Sequence, residues 1–247
     1  MIPRILDLAR RIGLTARRCP ACGAVTHAPA KTDGNTLCAD CARAMAPRTG
    51  GYCPGCGHMS GRKDDPPSLC PECRRTPPPW ARLHFHGKYA DPLRTLILGY
   101  KFGGGFGHAR LLADMAERAF NGTGNAVPDV IVPVPLHSRR LMWRGFNQAT
   151  EMSRLLSRKL GRPMLQNGLV RTRNTVPQTR LGHRERQANI KDAFTADPGQ
   201  VRGKTVLLVD DVYTTGATLR ECARTLNRAG AAAVEVLVLA RAQQEPC

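Results

Sequence analysis

Two adjacent carboxylates, Asp210 and Asp211, follow directly on four apolar residues, Val206 to Val209. After them comes a run of small hydroxyl and glycine residues, Thr214-Thr215-Gly216-Ala217-Thr218. Four apolar residues in a row predict a short strand buried on both faces, so the acids arrive at its carboxyl end, where open α/β sheets bind ligands. The loop then opens a helix. Backbone N–H groups and the helix dipole make such a loop a phosphate cradle. Gly216 lets the backbone approach the phosphate, while Thr214, Thr215 and Thr218 add hydroxyl donors. Acids beside a phosphate cradle make chemical sense when the ligand carries hydroxyls or a bound Mg²⁺ next to its phosphate. A ribose 5-phosphate meets each of these demands.

The cysteines offer a second chemistry. Eight of the ten form four CxxC pairs: Cys19 and Cys22, Cys38 and Cys41, Cys53 and Cys56, Cys70 and Cys73. The gaps of 15 residues after Cys22 and 13 after Cys56 suit zinc ribbons, in which tetrahedral zinc takes four thiolates. Gly23 and Gly57 follow the second cysteine of two knuckles and permit their tight turns. A redox CxxC would occur once, beside a βαβ pattern. Two structural zinc sites are the expectation. Pairing the first CxxC with the second and the third with the fourth is the default, with an interleaved arrangement as the alternative.

Elements able to position these groups can be read from apolar periodicity. Residues 1–80 hold the paired cysteines and few large apolar side chains, so metal is expected to supply their folding free energy. Arg74 to Trp80, with its three prolines, predicts an extended connector to a second domain at 81–247. There, Leu83 to Tyr89, Asp129 to Pro135, Thr205 to Val209 and Ala233 to Leu239 read as strands. Pro92 to Lys101, Ala109 to Phe120, Asn147 to Leu160 and Gly216 to Arg228 read as helices. Gly103 to Gly107 is expected to be a turn. This alternation predicts an α/β domain with a mainly parallel sheet.

Charge and hydropathy set the class of protein. The 247 residues carry a formal net charge of +18, and 42% are hydrophobic, which argues against global disorder. No run approaches the roughly 18 apolar residues of a membrane helix, and the N-terminal stretch lacks the apolar core of a secretory signal. A cytoplasmic protein with an anionic partner is expected. From Arg139 to Lys191 there are 13 basic residues against Glu151 and Glu185. Trp143 and Phe146 interrupt the arginines, either as stacking rings for single-stranded nucleic acid or as core residues. His84 and His86 share one face of a strand, with packing favoured over metal binding.

The Asp-Asp and Thr-Thr-Gly run resembles the signature with which type I phosphoribosyltransferases bind 5-phosphoribosyl-1-pyrophosphate (PRPP). Together with the cysteine ribbons, residues 133–149 and the stretch from Arg171 to Phe194, nearly the whole chain resembles the ComF family. The resemblance implies a type I phosphoribosyltransferase-like domain behind a small N-terminal double zinc ribbon. It implies that Asp210 and Asp211 face the ribose 2- and 3-hydroxyls, and that Thr214, Thr215, Gly216, Ala217 and Thr218 hold the 5-phosphate. Arg139, Arg140 and Arg144 would line the pyrophosphate loop, with Asp210, Asp211 and Arg144 as catalytic candidates if transfer occurs. Lys101-Phe102 matches a further family position. Gln178, Leu181, Arg186, Asn189 and Phe194 would lie in or beside a loop that covers PRPP. Mg²⁺ would accompany PRPP, and zinc would fill both ribbons. Hypoxanthine-type enzymes carry an Asp just before the Thr-Gly, where this chain has Thr214, so no acceptor base follows. Two functional classes result. One is a PRPP-binding protein of DNA uptake, handling incoming single-stranded DNA with partner proteins of the uptake machinery. The other is an active phosphoribosyltransferase acting on a nucleobase or related small acceptor.

Overall fold

The computed structural model describes residues 16–26, 37–102, 108–122, 127–173 and 189–243; the side chains of Arg17, Thr26 and Arg140 fall outside the description. Gly103 to Gly107 also lie outside it. The first ribbon pairs β1 (Arg17–Arg18) with β2 (Val25–Thr26) and ends in α1 (Ala39–Ala44). The second ends in α2 (Pro71–Arg75). Cys38 and Cys70 are the N-caps of these two helices, each sulfur accepting from the backbone N–H three residues on. A cysteine is thus placed where a helix needs an acceptor.

The α/β part then runs β3 (Arg82–Lys88), α3 (Leu93–Phe102), α4 (His108–Asn121), β4 (Val130–Pro133), α5 (Ser138–Arg144), α6 (Gln148–Leu160), β5 (Leu169–Arg171), β6 (Phe194–Ala196), α7 (Pro198–Val201), β7 (Thr205–Tyr213), α8 (Ala217–Arg228) and β8 (Ala233–Arg241). Four strands form a parallel sheet in the order β3-β8-β7-β4, while β5 and β6 form a separate antiparallel pair. The parallel sheet agrees with the alternation read from sequence. In α3 the buried residues are Leu93, Leu96, Ile97 and Tyr100, a helical stripe facing the core. Asn147 caps α6, accepting from the Ala149 N–H at 3.0 Å, and Gly161 closes it at φ 63°.

Several expectations need correction. Strand β7 continues past Val209 through both acids to Tyr213, because Asp210, Val212 and Tyr213 stay paired with Val238, Ala240 and Arg241 of β8. The acids therefore sit within a strand, not after it. The stretch from Arg74 to Trp80 is not a free connector. Arg74 and Arg75 close α2, and Trp80 is buried with its indole N–H donating to the Gly55 carbonyl at 2.8 Å. The arginine-bearing loop after β4 contains a helix, α5. Phe194, expected in or beside a loop, lies in strand β6 and is buried. His84 and His86 are buried packing residues: His84 Nε2 lies 2.9 Å from Glu235 Oε2, and His86 Nε2 lies 2.7 Å from the Met45 carbonyl.

The core has two layers, one on each face of the sheet. On one face α3, α4 and α6 pack on Ile131, Leu207, Val209 and Leu237, joined by Leu37, Cys41 and Met45 of the first ribbon. On the other, α8 and the β5–β6 pair pack on Val206, Leu208, Val236 and Val238, and Tyr52, Cys56 and Met59 of the second ribbon join them. Each ribbon thus lends its few apolar side chains to a different face of one sheet. That is how segments too poor in apolar residues for a core of their own still bury them.

Gly216, the N-cap of α8, has φ 76°, and a Cβ there would lie 2.1 Å from the Tyr213 ring. Gly203 also has a left-handed φ of 71°, yet a Cβ there meets nothing within 4 Å. Gly216→Ala is therefore expected to cost about 2–5 kcal/mol, backbone strain plus overpacking, against about 1–2 kcal/mol for Gly203→Ala. Urea unfolding of both variants checks the difference. Equal costs would show that the Tyr213 contact is unimportant.

Candidate functional site

Alternation along β7 separates the two acids. Val206 and Leu208 belong to the α8 side of the core and Leu207 and Val209 to the α3 side, so Asp210 leaves on the first face and Asp211 on the second. Two cations answer this charge that sequence spacing does not connect with the acids. Lys101, at the end of α3, places Nζ 2.9 Å from Asp211 Oδ2, with side-chain exposures of 17% and 14%. Burial alone pulls the Lys101 ammonium down, but the Asp211 carboxylate more than offsets this and holds it above its ordinary value. Arg171, buried on β5, contributes its positive field to Asp210. These fields do not cancel the cost. Desolvation first, and then the Asp211 charge, push the Asp210 carboxyl up to about 7. Asp210 Oδ1 accepts the Asp211 N–H at 2.9 Å. Beneath it, Cys222 is fully buried in α8, and burial, then the Asp210 charge, hold its thiol well above its ordinary range.

A cavity of about 540 Å³ opens over this strand end. Asp210, Asp211, Thr214, Gly216, Ala217, Thr218 and Arg144 all line it, together with Lys101, Phe102, Trp143, Gln148 and Arg171. The motif at 210–218 and the arginine after β4 are thereby brought into one place, although more than 60 residues separate them. Thr215 and Arg139 are not among the lining residues. The Thr215 hydroxyl turns back to accept the Ala217 N–H at 3.5 Å, and Arg139 is exposed on α5. The Arg140 side chain, with Gln178, Leu181 and Arg186, lies outside the described residues. Asn189 is described, and its carbonyl accepts from Arg173 Nη2 at 3.0 Å. Gly216, the N-cap of α8, has no side chain to cap the helix, and the helix start at Ala217 and Thr218 lines the cavity. Arg144 Nη1 donates to Gln148 Oε1 at 3.0 Å, while Arg144 Nε and Gln148 Nε2 are buried without a protein partner. Buried donors on cavity-lining residues suit a ligand rich in phosphate and hydroxyl oxygens.

The second ribbon supports the loop from behind. Arg241, the last residue of β8, donates from Nε to the Cys56 carbonyl at 2.7 Å and from Nη1 to the Thr214 carbonyl at 2.8 Å. Its guanidinium also lies 4.3 Å from the Tyr213 ring centroid. Trp80, bonded to Gly55 of the same knuckle, meets Tyr213 edge-on at 6.1 Å. One cation and one indole therefore join a cysteine knuckle to the hydroxyl loop. No spacing in the sequence announces either contact.

The eight cysteines form two clusters, Cys19, Cys22, Cys38 and Cys41, and Cys53, Cys56, Cys70 and Cys73, with the sulfurs of each within 4.8 Å of one another. This is the sequential pairing. Cys22 and Cys38 lie 3.7 Å apart at Sγ, as do Cys56 and Cys70. A tetrahedron of thiolates around zinc has an edge of about 3.8 Å, so the geometry fits the metal. Backbone N–H groups of Cys38 and Cys70 point at the sulfurs of Cys19 and Cys53, at 3.4 and 3.3 Å. Both clusters can bind zinc.

Residues 108–246 match the family model described as the phosphoribosyl transferase domain. The chain is 40% identical over 210 residues to the DNA utilization protein YhgH of Salmonella typhi, covering 83% of this chain and 90% of that one. It is 34% identical over 214 residues to competence protein F of Haemophilus influenzae, covering 84% and 91%. The chain belongs to the ComF family of phosphoribosyltransferase-domain proteins. A more distant relative is competence protein ComFC of Bacillus subtilis, 30% identical over 207 residues and covering 80% of each chain. The sequence reading of family and fold stands. Among the described residues no helix is long and apolar enough to cross a membrane.

The raised Asp210 carboxyl gives a pH prediction. Folded, it keeps its proton up to about 7; unfolded, it loses it near 3.8. Between these values the folded state binds the extra proton, so this contribution is full below the unfolded value and is lost as pH rises toward 7. Urea midpoints of ligand-free wild type should therefore decline toward neutral pH relative to Asp210→Asn. Both proteins carry the same cysteines, so their difference isolates this group. Parallel curves would contradict the assignment.

Proposed function

We propose that this protein binds PRPP with Mg²⁺ over Asp210 and Asp211 and serves DNA uptake in the cytoplasm, handling incoming single-stranded DNA. The observation that carries the reading is the meeting of two acids, a hydroxyl–glycine loop and an arginine in one cavity. Names given to the relatives, for DNA utilization and competence, support the cellular role. Asp210 and Asp211 accept hydrogen bonds from the ribose hydroxyls. Thr214, Thr218 and the N–H groups opening α8 hold the 5-phosphate. Arg144 faces the pyrophosphate, with Thr215, Arg139 and Arg140 as further positions from the family pattern. Mg²⁺ supplies neutralising charge on the pyrophosphate when bound. Where transfer follows, the bond from C1 to the pyrophosphate breaks, and Arg144 stabilises the departing negative charge. The cysteine clusters hold two structural zinc ions, and the partners of the uptake machinery are proteins on the cytoplasmic side.

Calorimetry with PRPP and Mg²⁺ tests the site. Losing two carboxylate acceptors in an Asp210→Asn, Asp211→Asn double variant should weaken affinity on the order of a hundredfold. Equal affinity in both proteins removes this site from consideration. Metal analysis of protein purified without chelator should find about two zinc per chain; none would sink the structural-zinc reading. Single-stranded DNA binding across salt should lose about 0.7 log units of affinity per neutralised phosphate for each log unit of salt. Undetectable DNA binding, with pyrophosphate released on adding a nucleobase, would instead identify a plain transferase of nucleotide metabolism.

A further inference from the structure

The mouth of the ligand cavity carries aromatic surface that a ribose phosphate does not use. Phe102 and Trp143 both line the cavity, yet they are 61% and 78% exposed. Trp143 is one of three consecutive exposed apolar residues on α5, with Leu141 and Met142. The fold does not need them there. The neighbouring Phe146 packs against Tyr100 with ring centroids 5.5 Å apart and joins the core. Of the two rings read from sequence as stacking candidates, Phe146 is thus a packing residue and Trp143 is not. The second ring at the mouth is Phe102, whose face is covered by the Arg144 guanidinium at 5.1 Å from the centroid. An indole, a phenyl ring and a guanidinium therefore border one opening, while the acids and the phosphate loop line the same cavity.

PRPP offers no flat apolar face to such a border. A nucleobase does, and it presents that face when it is not stacked in a duplex. Both side chains leave most of their surface to water, and the adjoining Arg139 and Arg144 suit the phosphates that accompany a base on a strand. We infer that Phe102 and Trp143 form a base-stacking subsite for single-stranded DNA at the mouth of the PRPP cavity. The inference rests on the DNA-handling reading above and deepens it by naming where a base docks. It also sets a direction: the bases enter from the α5 side, and the sugar–phosphate chain runs past Arg144. PRPP below and a base at the mouth then occupy adjoining parts of one cavity.

The chain has two tryptophans, Trp80 buried and Trp143 exposed, so fluorescence separates them. The full-length protein would be titrated with a short oligothymidylate, with the same sugar–phosphate chain made abasic, and with free thymidine. Oligothymidylate should quench the exposed indole and bind on the order of tenfold more tightly per stacked base than the abasic chain. Trp143→Leu and Phe102→Leu should each narrow that gap. Both residues are exposed, so an unchanged thermal midpoint separates lost stacking from lost folding. Equal binding of the base-bearing and abasic chains by wild type overturns the stacking subsite while leaving DNA handling intact. Absence of binding by either chain removes the DNA reading and the subsite with it. Quenching by free thymidine as strong as by the oligomer would move the occupant to a small acceptor base and overturn the strand assignment.

Discussion

Asp210 and Asp211 are consecutive residues near the carboxyl end of β7, and the residues just before them, Val206 to Val209, are wholly buried. Two like charges cannot be held there without a response from the surrounding chain. Lys101 comes from α3 to meet Asp211, and Arg171 from β5 supplies field to Asp210. The balance remains incomplete, since the Asp210 carboxyl still prefers its proton almost to neutral pH. A ligand that brings hydroxyl donors and cations relieves this residual strain on binding.

The hydroxyl loop illustrates how such an arrangement is held still. Tyr213 presses on Gly216 closely enough that no side chain fits there. Arg241 and Trp80 hold Tyr213 in turn, and both are anchored to carbonyls of the second cysteine knuckle, Cys56 and Gly55. The ribbon thus forms part of the wall behind the hydroxyl loop. Residues 16–80 contribute apolar side chains to both faces of the sheet, the first ribbon through Leu37 and Met45 and the second through Tyr52 and Met59. Order in the Cys53–Cys56 knuckle bears on the loop through these contacts.

Exposed and buried aromatics divide the work along the same axis. Tyr213, Trp80 and Phe146 are packed and set the shape of the cavity. Phe102 and Trp143 face water at its mouth. Trp80 meets Tyr213 edge-on and Arg241 covers the Tyr213 ring, as Arg144 covers Phe102, so a guanidinium over a ring occurs both in the packed wall and at the open mouth. The strong positive charge of the protein acts on the same opening by drawing anions toward it.

Much of this was legible from residue order alone. Val206 to Thr218 announces a buried strand, an acidic pair and a hydroxyl–glycine loop opening a helix because all three are local: period, chemistry and turn propensity lie within thirteen positions. Four CxxC pairs announce two four-cysteine clusters for the same reason, and helical stripes such as Leu93, Leu96, Ile97 and Tyr100 mark core faces. Tertiary structure alone decided the rest. Strand β7 extends through its acids because a partner strand, invisible to local pattern, keeps pairing with it. Arg241, Arg171 and Lys101 acquire their roles only when the sheet and its helices bring them beside residues 27 to 185 positions away. Trp143 and Phe146, three residues apart, part company because Trp143 lies on α5 at the cavity, while Phe146 lies past the left-handed Gly145 that ends the helix and packs against Tyr100. Local sequence sets which groups are present and which bonds they can make. Their neighbours, and hence their charge states and exposure, follow from packing over distances that no sequence window spans.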